Sequence, residues 1–575
     1  METAVSGAGV MSLREIGDWR RVAIPVVLGL GAVTILARAW ELQVVQRDFL
    51  THEGDKRAMR TVAVPAHRGA IRDRRGEPLA LSAPVESLWV IPSELMAAPE
   101  YLPALSKLLD FRPGELKKFL RERDDRHFVY LRRQMDPDEA QRVLALGAPG
   151  VFAQREYRRY YPAGEVAGHV VGFCDIDGRG QEGMESAQDE LLRGKSGARH
   201  VIRDRNGRVV EESGDFDPAQ PGQDLALTLD LHLQYLAYRE LKAAVAEQHA
   251  KGGLIVVVDA ASGEILAMAN QPGFNPNRPD ERDSIGLRNR AVTDVFEPGS
   301  TIKPILMARA LELGAFSPGS RVDVGNGTFK VGSLTVHDTH SKGLLDLAHI
   351  LSLSSNVGAA HIGLRLGAES VWSGYQKFAI GEPVHAGFPG EAPGVLRNYR
   401  QWGDIATATA AYGYGLSVNA MQLVRAYAAL AHDGLLPQLR LIKDNAAALP
   451  PQRAVPAKVA AQVRRLMEDV TVGEGTGVKA AVAGYRVAGK TGTVRKPAHG
   501  GYEEHKHQSV FIGLLPAANP RLVGLVMIDE PAKEYYGGQV AAPVFARVMQ
   551  GAARLLQLPP DEPAATAALP AGPRT

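Results

Sequence analysis

Two side chains one helical turn apart give this sequence its clearest chemical signal. Ser300 and Lys303 occupy positions i and i+3, so in a helix the hydroxyl and the amine share one face. An uncharged lysine there can take the hydroxyl proton, and the activated serine then attacks carbonyl carbons. The pattern S-x-x-K occurs only once in the chain. The pair predicts a serine nucleophile with a lysine base, and therefore acyl transfer.

Two further short strings follow in order and supply the other parts of such a site. Ser354 and Asn356 form S-x-N, whose hydroxyl and amide can pass a proton and hold a peptide carbonyl. The string K-T-G-T adds a positive charge, which lowers the pKa of a nearby amine, and hydroxyls for a substrate carboxylate. S-x-N recurs at Ser417 and K-[ST]-G at Lys195, so the order of the three strings carries the prediction. The members of K-T-G-T are Lys490, Thr491, Gly492 and Thr493.

The residues around Ser300 predict where the nucleophile lies. Ser300 follows the segment 297–299 (E-P-G) and precedes an apolar helical pattern, with Pro304 in the first turn, where a missing N–H costs nothing. Ser300 is therefore expected at a helix N-terminus, whose dipole favours developing negative charge. A serine there can be only an N-cap, but Lys303 and the later strings favour the nucleophile. The backbone N–H groups of Ser300 and Thr493 are the predicted oxyanion hole.

Length and composition limit the class of protein. A chain of 575 residues is too long for one ordinary core, so two or more folded units are expected. Its 45% apolar and 23% charged content is ordinary for globular protein. The net charge of +2 comes without a basic stripe, so nothing indicates nucleic acid. Cys174 is the only cysteine, which excludes an intrachain disulfide, and a lone thiol is not a favoured nucleophile.

The N-terminal segment predicts a membrane anchor. Val22 to Ala37 is apolar and uncharged, and as a helix it spans roughly 24 Å. Arg38 can snorkel, and the apolar residues after it lengthen the span toward an interfacial tryptophan. We predict a cytoplasmic tail over 1–21 and a transmembrane anchor over 22–42; the alternative is a cleaved signal peptide ending at 37–39 (A-R-A). In both cases the preceding arginines place the rest of the chain outside the cytoplasm.

Two folded units are predicted beyond the anchor. Residues 46–225 are rich in arginine and glycine, with strand–turn–strand patterns at 68–76 and 203–207 and a glycine-rich loop at 178–183 that lacks the context of a phosphate site. Residues 226–558 begin with a helix at 231–248. Strand pairs follow near 254–269 and 509–529, and an alanine-rich helical block at 300–470 lies between them. The expected fold is α+β, with an antiparallel sheet whose first and last strands meet, covered by helices. Residues 559–575 are expected to be disordered.

Four stretches of sequence resemble class B penicillin-binding proteins, and in particular the septal transpeptidases of Gram-negative bacteria. These stretches are 294–304, 354–358, 412–416 and 535–538, and the likeness covers nearly the whole chain. It implies a non-catalytic pedestal (the penicillin-binding protein dimerisation domain) that carries the Arg68-Gly69 segment. It also implies a C-terminal penicillin-binding transpeptidase domain with a serine β-lactamase-like fold. Leu353 departs from the pattern, because a lysine is expected there.

The resemblance also implies an activity and partners. The expected enzyme lies in the bacterial inner membrane, crosses it once with a cytoplasmic N-terminus, and works in the periplasm. It cross-links the D-Ala-D-Ala stem peptides of nascent peptidoglycan during cell division and is acylated by β-lactam antibiotics. Its expected partners are membrane lipid, the glycan polymerase FtsW and other division proteins, without nucleic acid, cofactor or metal.

Aromatic and histidine residues lie between and after the strings. The resemblance implies that Tyr502, Tyr535 and Tyr536 wall the donor-peptide cleft, although they could instead pack under loops, and that Tyr414 is a substrate-binding residue. Two histidine groups have zinc-like spacing, but their polar surroundings favour solvated loops. The tyrosines are Tyr414, Tyr502, Tyr535 and Tyr536; the histidines are His337, His340, His499, His505 and His507.

The three strings are also compatible with other enzymes of the same chemistry. An elongation-specific transpeptidase or a D,D-carboxypeptidase would use the same residues. A class A β-lactamase needs a general-base glutamate, and no Glu-x-x-Leu-Asn string follows Ser354. A bifunctional enzyme needs a glycosyltransferase domain, and a β-lactam sensor needs a cytoplasmic signalling module; the sequence favours neither. The pedestal could also serve as a scaffold for division proteins.

Overall fold

The computed structural model describes residues 13–50, 59–203, 209–281, 286–339, 343–443, 450–498 and 501–561. The first described element, α1, covers Leu13–Trp40 and continues into a wider turn at Glu41–Val45. Within it, the apolar span Ala23–Val45 has a mean hydropathy of 1.8 and none of it is buried in the protein. Its length and composition are sufficient to cross a membrane. Residues 1–12 of the predicted cytoplasmic tail lie outside the described residues.

The pedestal is built from short helices and two small sheets. One sheet has the order β1-β6-β7; in the other, of order β4-β3-β2-β8, β5 also pairs with β3. Its strands are β1 Met59–Val64, β2 Ile71–Arg72, β3 Pro78–Val90, β4 Val129–Met135, β5 Val151–Tyr160, β6 Gly197–Arg203, β7 Val209–Asp217 and β8 Leu225–Ala226. Its helices are α2 Pro92–Met96, α3 Leu102–Leu108, α4 Glu115–Arg121, α5 Pro137–Leu144, α6 Gly168–Val171, α7 Gly183–Ala187 and α8 Asp189–Arg193.

One of the two turns predicted in the pedestal lies among the described residues, between β2 and β3. Gly76 has a φ of +90° in the turn between β2 and β3, a conformation that favours glycine. The second predicted turn falls on residues 204–208, between β6 and β7, which lie outside the described residues. The pedestal continues into the second unit without a linker. Its last strand, β8, pairs in parallel with β2, and the next residue, Leu227, forms a β-bridge with Ile442 of the second unit.

The pedestal does not have a single core of its own. Apolar side chains between Leu88 and Val143 form a separate cluster at one end, the head of the pedestal. The second unit, residues 226–558, is called the transpeptidase unit after the resemblance. The pedestal side chains nearer to it, including Ile71, Leu79 and Tyr161, belong to the same apolar cluster as the helices around the three strings. The lower pedestal is therefore packed continuously onto the transpeptidase unit.

The transpeptidase unit has one five-stranded antiparallel sheet of order β10-β9-β19-β18-β17. Its strands are β9 Gly252–Asp259, β10 Ile265–Gln271, β17 Ala488–Ala498, β18 Gly501–Leu515 and β19 Leu522–Asp529. The predicted meeting of first and last strands is observed, because β9 pairs with β19 along its whole length. Its helices are α9 Leu231–Glu247, α10 Arg290–Thr293, α11 Lys303–Glu312, α12 Leu347–Ser352, α13 Asn356–Leu366, α14 Ala368–Lys377, α15 Asp404–Ala411, α16 Ala420–Ala431, α17 Ala457–Glu468 and α18 Gly537–Leu555.

Helices cover both faces of this sheet, which explains why its central strands are apolar throughout. On β9, Leu254 and Val256 join the cluster of the central helices, while Ile255 and Val257 join the cluster of α9 and α18. Alternate residues of a strand point to opposite faces, so a strand covered on both sides needs an unbroken apolar run. That run is what predicted the strand.

Three expectations need correction or limits. The block 300–470 is not wholly helical, because it contains short strands, two of which pair as a hairpin carrying His337 at its end. His505 and His507 lie within β18 rather than in a loop; His340 and His499 lie outside the described residues. The tail predicted from 559 keeps contact through Asp561, which accepts hydrogen bonds from the backbone N–H groups of Arg486 and Ala518; residues 562–575 are not described. The short strands are β11 Arg321–Asp323, β12 Thr328–Val331, β13 Leu334–His337, β14 Leu344–Asp346, β15 Leu435–Leu436 and β16 Gln452–Arg453.

Candidate active site

Ser300 lies in a tight helical turn that leads directly into α11. The turn covers Gly299–Ile302, and Lys303 is the first residue of α11, as the sequence predicts. Ser300 is partly exposed, whereas Lys303 is fully buried. Gly299 has a φ of +52°, and a Cβ on it would lie 2.6 Å from Cγ2 of Val494 on β17. Only glycine permits this approach, which presses the nucleophile turn against the strand of the K-T-G-T string.

Both lysine amines of the predicted site converge on Ser354. Lys303 Nζ donates to the Ser354 carbonyl oxygen at 2.7 Å and to Asn356 Oδ1 at 2.8 Å, and lies 3.4 Å from Ser354 Oγ. Lys490 Nζ donates to Ser354 Oγ at 3.0 Å. Residues from three distant parts of the chain therefore meet around one hydroxyl.

Burial sets the charge of these amines. Removal from water lowers the pKa of Lys303 to about 7, although the carboxylate of Asp338 acts in the opposite direction. Burial and the nearby charge of Lys303 hold the pKa of Lys490 well below its usual range. The oxygens that bind Lys303 are all uncharged. An uncharged amine can donate to both carbonyl oxygens and keep its lone pair for a hydroxyl proton.

The Ser300 hydroxyl is not yet hydrogen-bonded to this amine. Within the described part of the chain, Ser300 Oγ has no hydrogen-bond partner, and the hydrogen bonds of Lys303 go to Ser354 and Asn356. Such contacts are often long in enzymes without substrate and tighten on binding. Ser300 and Lys303 remain one helical turn apart, at the junction of the turn Gly299–Ile302 and α11.

Ser354 occupies a strained turn between α12 and α13. Its φ of +59° is in the left-handed region, which a side chain with a Cβ rarely adopts. Backbone N–H groups of Ser354 and Ser355 donate to Leu351 and Ile350, which holds the turn. Strain of this kind persists only where the surroundings impose it, and it is concentrated at functional sites. It directs both the carbonyl and the hydroxyl of Ser354 at the two lysines.

Asp338 is a site residue that sequence reasoning missed. One of its carboxylate oxygens accepts the backbone N–H groups of Asn356 at 2.6 Å and Val357 at 2.9 Å, and the other accepts the Ser355 hydroxyl at 2.5 Å. Asp338 therefore caps α13 and fixes the residue that binds Lys303. It follows the β12–β13 hairpin, and nothing in its local sequence marks it.

The K-T-G-T string lies on β17, at the edge of the sheet. Thr491 is buried, and its hydroxyl contacts the Thr476 hydroxyl at 2.8 Å and Lys490 Nζ at 3.3 Å. Gly492 is required for packing, because a Cβ there would lie 2.9 Å from Cγ2 of Thr301 beside the nucleophile. Because Thr491 is buried and its hydroxyl already contacts Thr476, Thr491 is less suited to bind a substrate carboxylate than the sequence predicts. Thr476, which the sequence did not single out, completes this hydroxyl pair.

Thr493 is the more accessible hydroxyl of the string. It is partly exposed, and its Oγ1 accepts the backbone N–H of Gly537 at 3.0 Å, which leaves its own proton available. Gly537 begins α18, and a Cβ on it would lie 2.3 Å from the carbonyl oxygen of Gly492. The Tyr-Tyr-Gly-Gly segment thus brings a helix N-terminus directly against the strand.

The four tyrosines surround this edge of the sheet. Tyr502, Tyr535 and Tyr536 are 43%, 40% and 47% exposed, so they are not packed under loops. Tyr535 and Tyr536 stack with ring centroids 4.4 Å apart, next to Gly537. Tyr414 is half-buried and meets Tyr502 edge-to-face at 5.6 Å. Tyr502 lies on β18, which pairs with β17, and Tyr535 and Tyr536 precede Gly537, whose N–H binds Thr493, so aromatic surface lies close to this edge.

Glu297 is a second residue that sequence reasoning did not assign. Its Oε1 accepts the Gly415 backbone N–H at 2.8 Å and the Tyr502 hydroxyl at 3.2 Å. Burial raises the pKa of this carboxyl. Glu297 therefore ties the β17–β18 hairpin to the nucleophile turn. Leu353, the departure from the family pattern, packs partly buried against the main core.

The chemistry that this arrangement can perform lies in its amine and hydroxyl groups. Among the residues that the structure describes, no group of three or more His, Cys, Asp or Glu side chains is placed to hold a metal ion. The arrangement can activate a hydroxyl with a neutral amine, relay a proton through Ser354, and hold an anionic group near Lys490 and Thr493.

The chain matches known protein families over most of its length. Residues 253–550 match the penicillin binding protein transpeptidase domain, and residues 63–227 match the penicillin-binding protein dimerisation domain. The chain is 45% identical over 542 residues to the probable peptidoglycan D,D-transpeptidase PenA of Neisseria gonorrhoeae, which covers 93% of this chain and 92% of that protein. It is 38% identical over 550 residues to the peptidoglycan D,D-transpeptidase FtsI of Escherichia coli, with 95% and 93% covered.

A solved structure shows the same two-unit architecture. The crystal structure of a peptidoglycan synthetase from Bifidobacterium adolescentis superimposes with a TM-score of 0.71 and 27% identity, covering 88% of this chain and 98% of that one. The similarity therefore extends over pedestal and transpeptidase unit together. The chain belongs to the class B penicillin-binding proteins, with both the dimerisation and the transpeptidase domain of that family.

Proposed function

We propose that this protein is a septal peptidoglycan D,D-transpeptidase that works through an acyl-enzyme on Ser300. The observation that carries the proposal is the pair of fully buried lysines on either side of Ser354, directly beside the nucleophile turn. A buried amine with uncharged partners is a base at neutral pH. The family supplies the substrate class, peptidoglycan, and accounts for acylation by β-lactams.

In the first half-reaction, Lys303 Nζ takes the Ser300 proton as Oγ attacks the penultimate D-Ala carbonyl of a stem peptide. The oxyanion is stabilised by the backbone N–H groups of Ser300 and Thr493, donors worth about 3–4 kcal/mol each in comparable enzymes. The C–N bond then breaks, and the leaving D-Ala amine receives a proton through Ser354, which contacts both amines. The Ser300 ester remains.

In the second half-reaction, an amine of another stem peptide attacks the ester carbonyl. The base again accepts a proton, now from the attacking amine, and Ser300 Oγ leaves with a proton returned to it. The new amide cross-links two strands, and no net proton is consumed. The terminal carboxylate of the donor lies near Lys490 and Thr493, and the exposed tyrosines wall the donor cleft.

The anchor and the relatives support the setting that we propose. The uncovered apolar span of α1 supports a single crossing of the inner membrane, with lipid around it, a cytoplasmic N-terminus and a periplasmic catalytic unit. The similarity to FtsI of Escherichia coli supports a role at the septum. We include FtsW as the glycan polymerase partner, together with other division proteins, in this proposal.

Labelling with a β-lactam tests the nucleophile. Intact-mass measurement of the purified protein after exposure to a penicillin is expected to show one adduct, and none in Ser300→Ala. Ser417→Ala is the matched control, because Ser417 begins the second S-x-N string and its backbone pairs with Val395 rather than with a residue of the three strings. An unchanged adduct in Ser300→Ala would overturn the assignment.

Product analysis tests the reaction class. Incubation with polymerised glycan strands is expected to yield cross-linked dimers together with free D-alanine. Release of D-alanine without any dimer would instead indicate a D,D-carboxypeptidase. A fluorescent fusion at mid-cell supports the septal role, whereas a fusion spread along the lateral wall would indicate elongation.

A further inference from the structure

A short segment outside the three strings contacts two of them. The segment 470–477 follows α17 and precedes β17, and Thr476 lies near its end. The backbone N–H of Thr476 donates to the Ser352 carbonyl oxygen at 3.0 Å, and the Thr476 hydroxyl shares a hydrogen bond of 2.8 Å with the Thr491 hydroxyl. Ser352 ends α12, which leads into the S-x-N string, and Thr491 belongs to the K-T-G-T string. Thr476 therefore connects the second string to the third.

Close packing fixes the position of Thr476. The backbone N–H of Gly477 donates to the Val470 carbonyl oxygen at 2.8 Å, which closes the segment into a loop. A Cβ on Gly477 would lie 2.9 Å from the ring of Phe511, and a Cβ on Gly538, in the first turn of α18, would lie 2.0 Å from the Thr476 carbonyl oxygen. Only glycine permits approaches this close. The loop is thus packed against the sheet and α18, and the Thr476 hydroxyl is held beside β17.

Thr491 links this hydroxyl to the amine of Lys490. Lys490 Nζ donates to Ser354 Oγ at 3.0 Å and to the carbonyl and hydroxyl oxygens of Thr491, both at 3.3 Å. Thr491 thus supplies two of these three acceptors. A hydroxyl that accepts a hydrogen bond from the amine directs its own proton elsewhere, and Thr476 Oγ1 lies within reach as its acceptor. Thr476 therefore orients the hydroxyl that helps to hold Lys490.

The position of Lys490 in turn orients the hydroxyl of Ser354. Because Ser354 Oγ accepts an N–H from Lys490, its own proton is not directed at that amine. In the proposed reaction, Lys303 takes the proton of Ser300 and passes it to Ser354 Oγ, which lies 3.4 Å from Lys303 Nζ. Ser354 gives its own proton to the nitrogen of the breaking C–N bond. A displaced Lys490 amine would leave this relay hydroxyl without the bond that orients it.

We propose that Thr476 is a positioning residue of the acyl-transfer site. Its backbone N–H holds the end of α12, and its hydroxyl holds Thr491 and, through Thr491, the amine of Lys490 beside Ser354. The proposal rests on the acyl-enzyme mechanism proposed above. Since Thr476 acts through Thr491 and not on the reacting atoms, its hydroxyl should affect the rate of acylation and not the binding that precedes it.

Stopped-flow kinetics with a fluorescent penicillin test the proposal on the full-length protein in detergent. The kinetics give the dissociation constant of the non-covalent complex and the rate constant of acylation separately. Thr476→Val keeps the shape of the side chain and the backbone N–H but removes the hydroxyl. The rate constant should fall by about three- to tenfold, as expected for the loss of one hydrogen bond, with an unchanged dissociation constant. Thr476→Ser, which keeps a hydroxyl, should restore the rate.

A double-mutant cycle tests whether Thr476 acts through Thr491. If it does, the double variant Thr476→Val/Thr491→Val should acylate no more slowly than Thr491→Val alone. Thr471→Val is the matched control, because Thr471 lies in the same loop but its hydroxyl donates to the carbonyl oxygens of Glu468 and Val487. This control should lower the melting temperature without changing the rate constant of acylation.

Three results would overturn the proposal. Thr476→Val could acylate at the wild-type rate, or the losses in the double variant could add. A weaker non-covalent complex with an unchanged rate constant would show that the half-exposed Thr476 binds the ligand directly. Labelling of wild-type Ser300 is checked first by intact mass. Failure of the proposed function would therefore appear as an unlabelled wild-type protein, and the three results above would leave that function intact.

Discussion

The molecule buries basic side chains in two regions, and their surroundings have opposite effects on their charge. In the lower pedestal, Arg68 is 5% exposed and pairs with Glu185 at 2.6 Å and Asp189 at 2.7 Å. Burial alone would lower the pKa of Arg68, but the two carboxylates outweigh it and the pKa is raised. In the transpeptidase unit, Lys303 and Lys490 are fully buried and hydrogen-bonded to uncharged oxygens.

The difference separates structural burial from functional burial. An arginine that keeps its proton and binds two carboxylates has a structural role. Its ion pairs hold together segments that are far apart in the chain. A lysine without a carboxylate in hydrogen-bond contact can give up its proton, so its burial produces a base. The same desolvation is outweighed by carboxylates in one region, where the arginine stays charged, and dominates in the other, where it produces a base.

The largest expected effect comes from removing the base. Lys303→Met keeps the length and the packing of the side chain but removes the amine. Acylation by a β-lactam should fall by about 10²–10⁴-fold, the usual contribution of a general base, while the melting temperature stays the same or rises. Stopped-flow acylation kinetics measure the first effect and thermal unfolding the second. Lys506→Met is the control, because Lys506 is exposed on β18; a Lys303→Met enzyme that acylates at the wild-type rate would contradict the account.

In the pedestal, removing a charged partner is expected to lower stability without slowing acylation. Glu185 is fully buried and accepts hydrogen bonds from Arg68 and Arg159. Glu185→Gln leaves buried arginine charge uncompensated and should destabilise the protein by about 3–5 kcal/mol. Chemical denaturation followed by fluorescence measures this loss. Folded molecules of the variant should still be acylated at the normal rate, and a slowed acylation step would show that the two regions are not separable in this way.

How much of this contrast could be predicted from the sequence depends on distance along the chain. The lysines were found because their strings are short and ordered, and the sheet was found because β9 and β19 are unbroken apolar runs. The pedestal network was missed, because Arg68 and Glu185 are 117 residues apart and the turn pattern that contains Arg68 gives no indication of its partner. Asp338, Thr476 and Glu297 were missed for the same reason. Only the fold brings them to the site.

A smaller effect on acylation is expected when the carboxylate near Lys303 is neutralised. The carboxylate of Asp338 raises the pKa of Lys303 against the dominant effect of burial. Asp338→Asn keeps an oxygen to cap α13 but removes the charge. The pKa of Lys303 should fall further, so acylation should reach its plateau at lower pH than in the wild type. A pH profile of the acylation rate measures the shift; a shift toward higher pH would have the wrong sign.

The smallest expected effect concerns the exposed rim. Tyr502→Phe removes the hydrogen bond to Glu297, which still accepts the Gly415 N–H. A partly exposed hydrogen bond of this kind is worth about 0.5–1 kcal/mol, so acylation should slow by about two- to fivefold. Tyr235→Phe is a control for the substitution itself, since Tyr235 is exposed on α9. A loss of a hundredfold would mean that the hairpin contact belongs to the catalytic machinery.

The pH dependence of acylation in the wild-type protein tests the central claim most directly. An amine acts as a base only without its proton, so the second-order rate of β-lactam acylation should rise with pH and level off above the pKa of Lys303, which is about 7. A single rise with its midpoint close to neutral pH is the expected result. A rate that is flat from acid to alkaline pH, or that rises only near the ordinary lysine pKa of about 10.4, would show that burial does not produce a neutral base at this site.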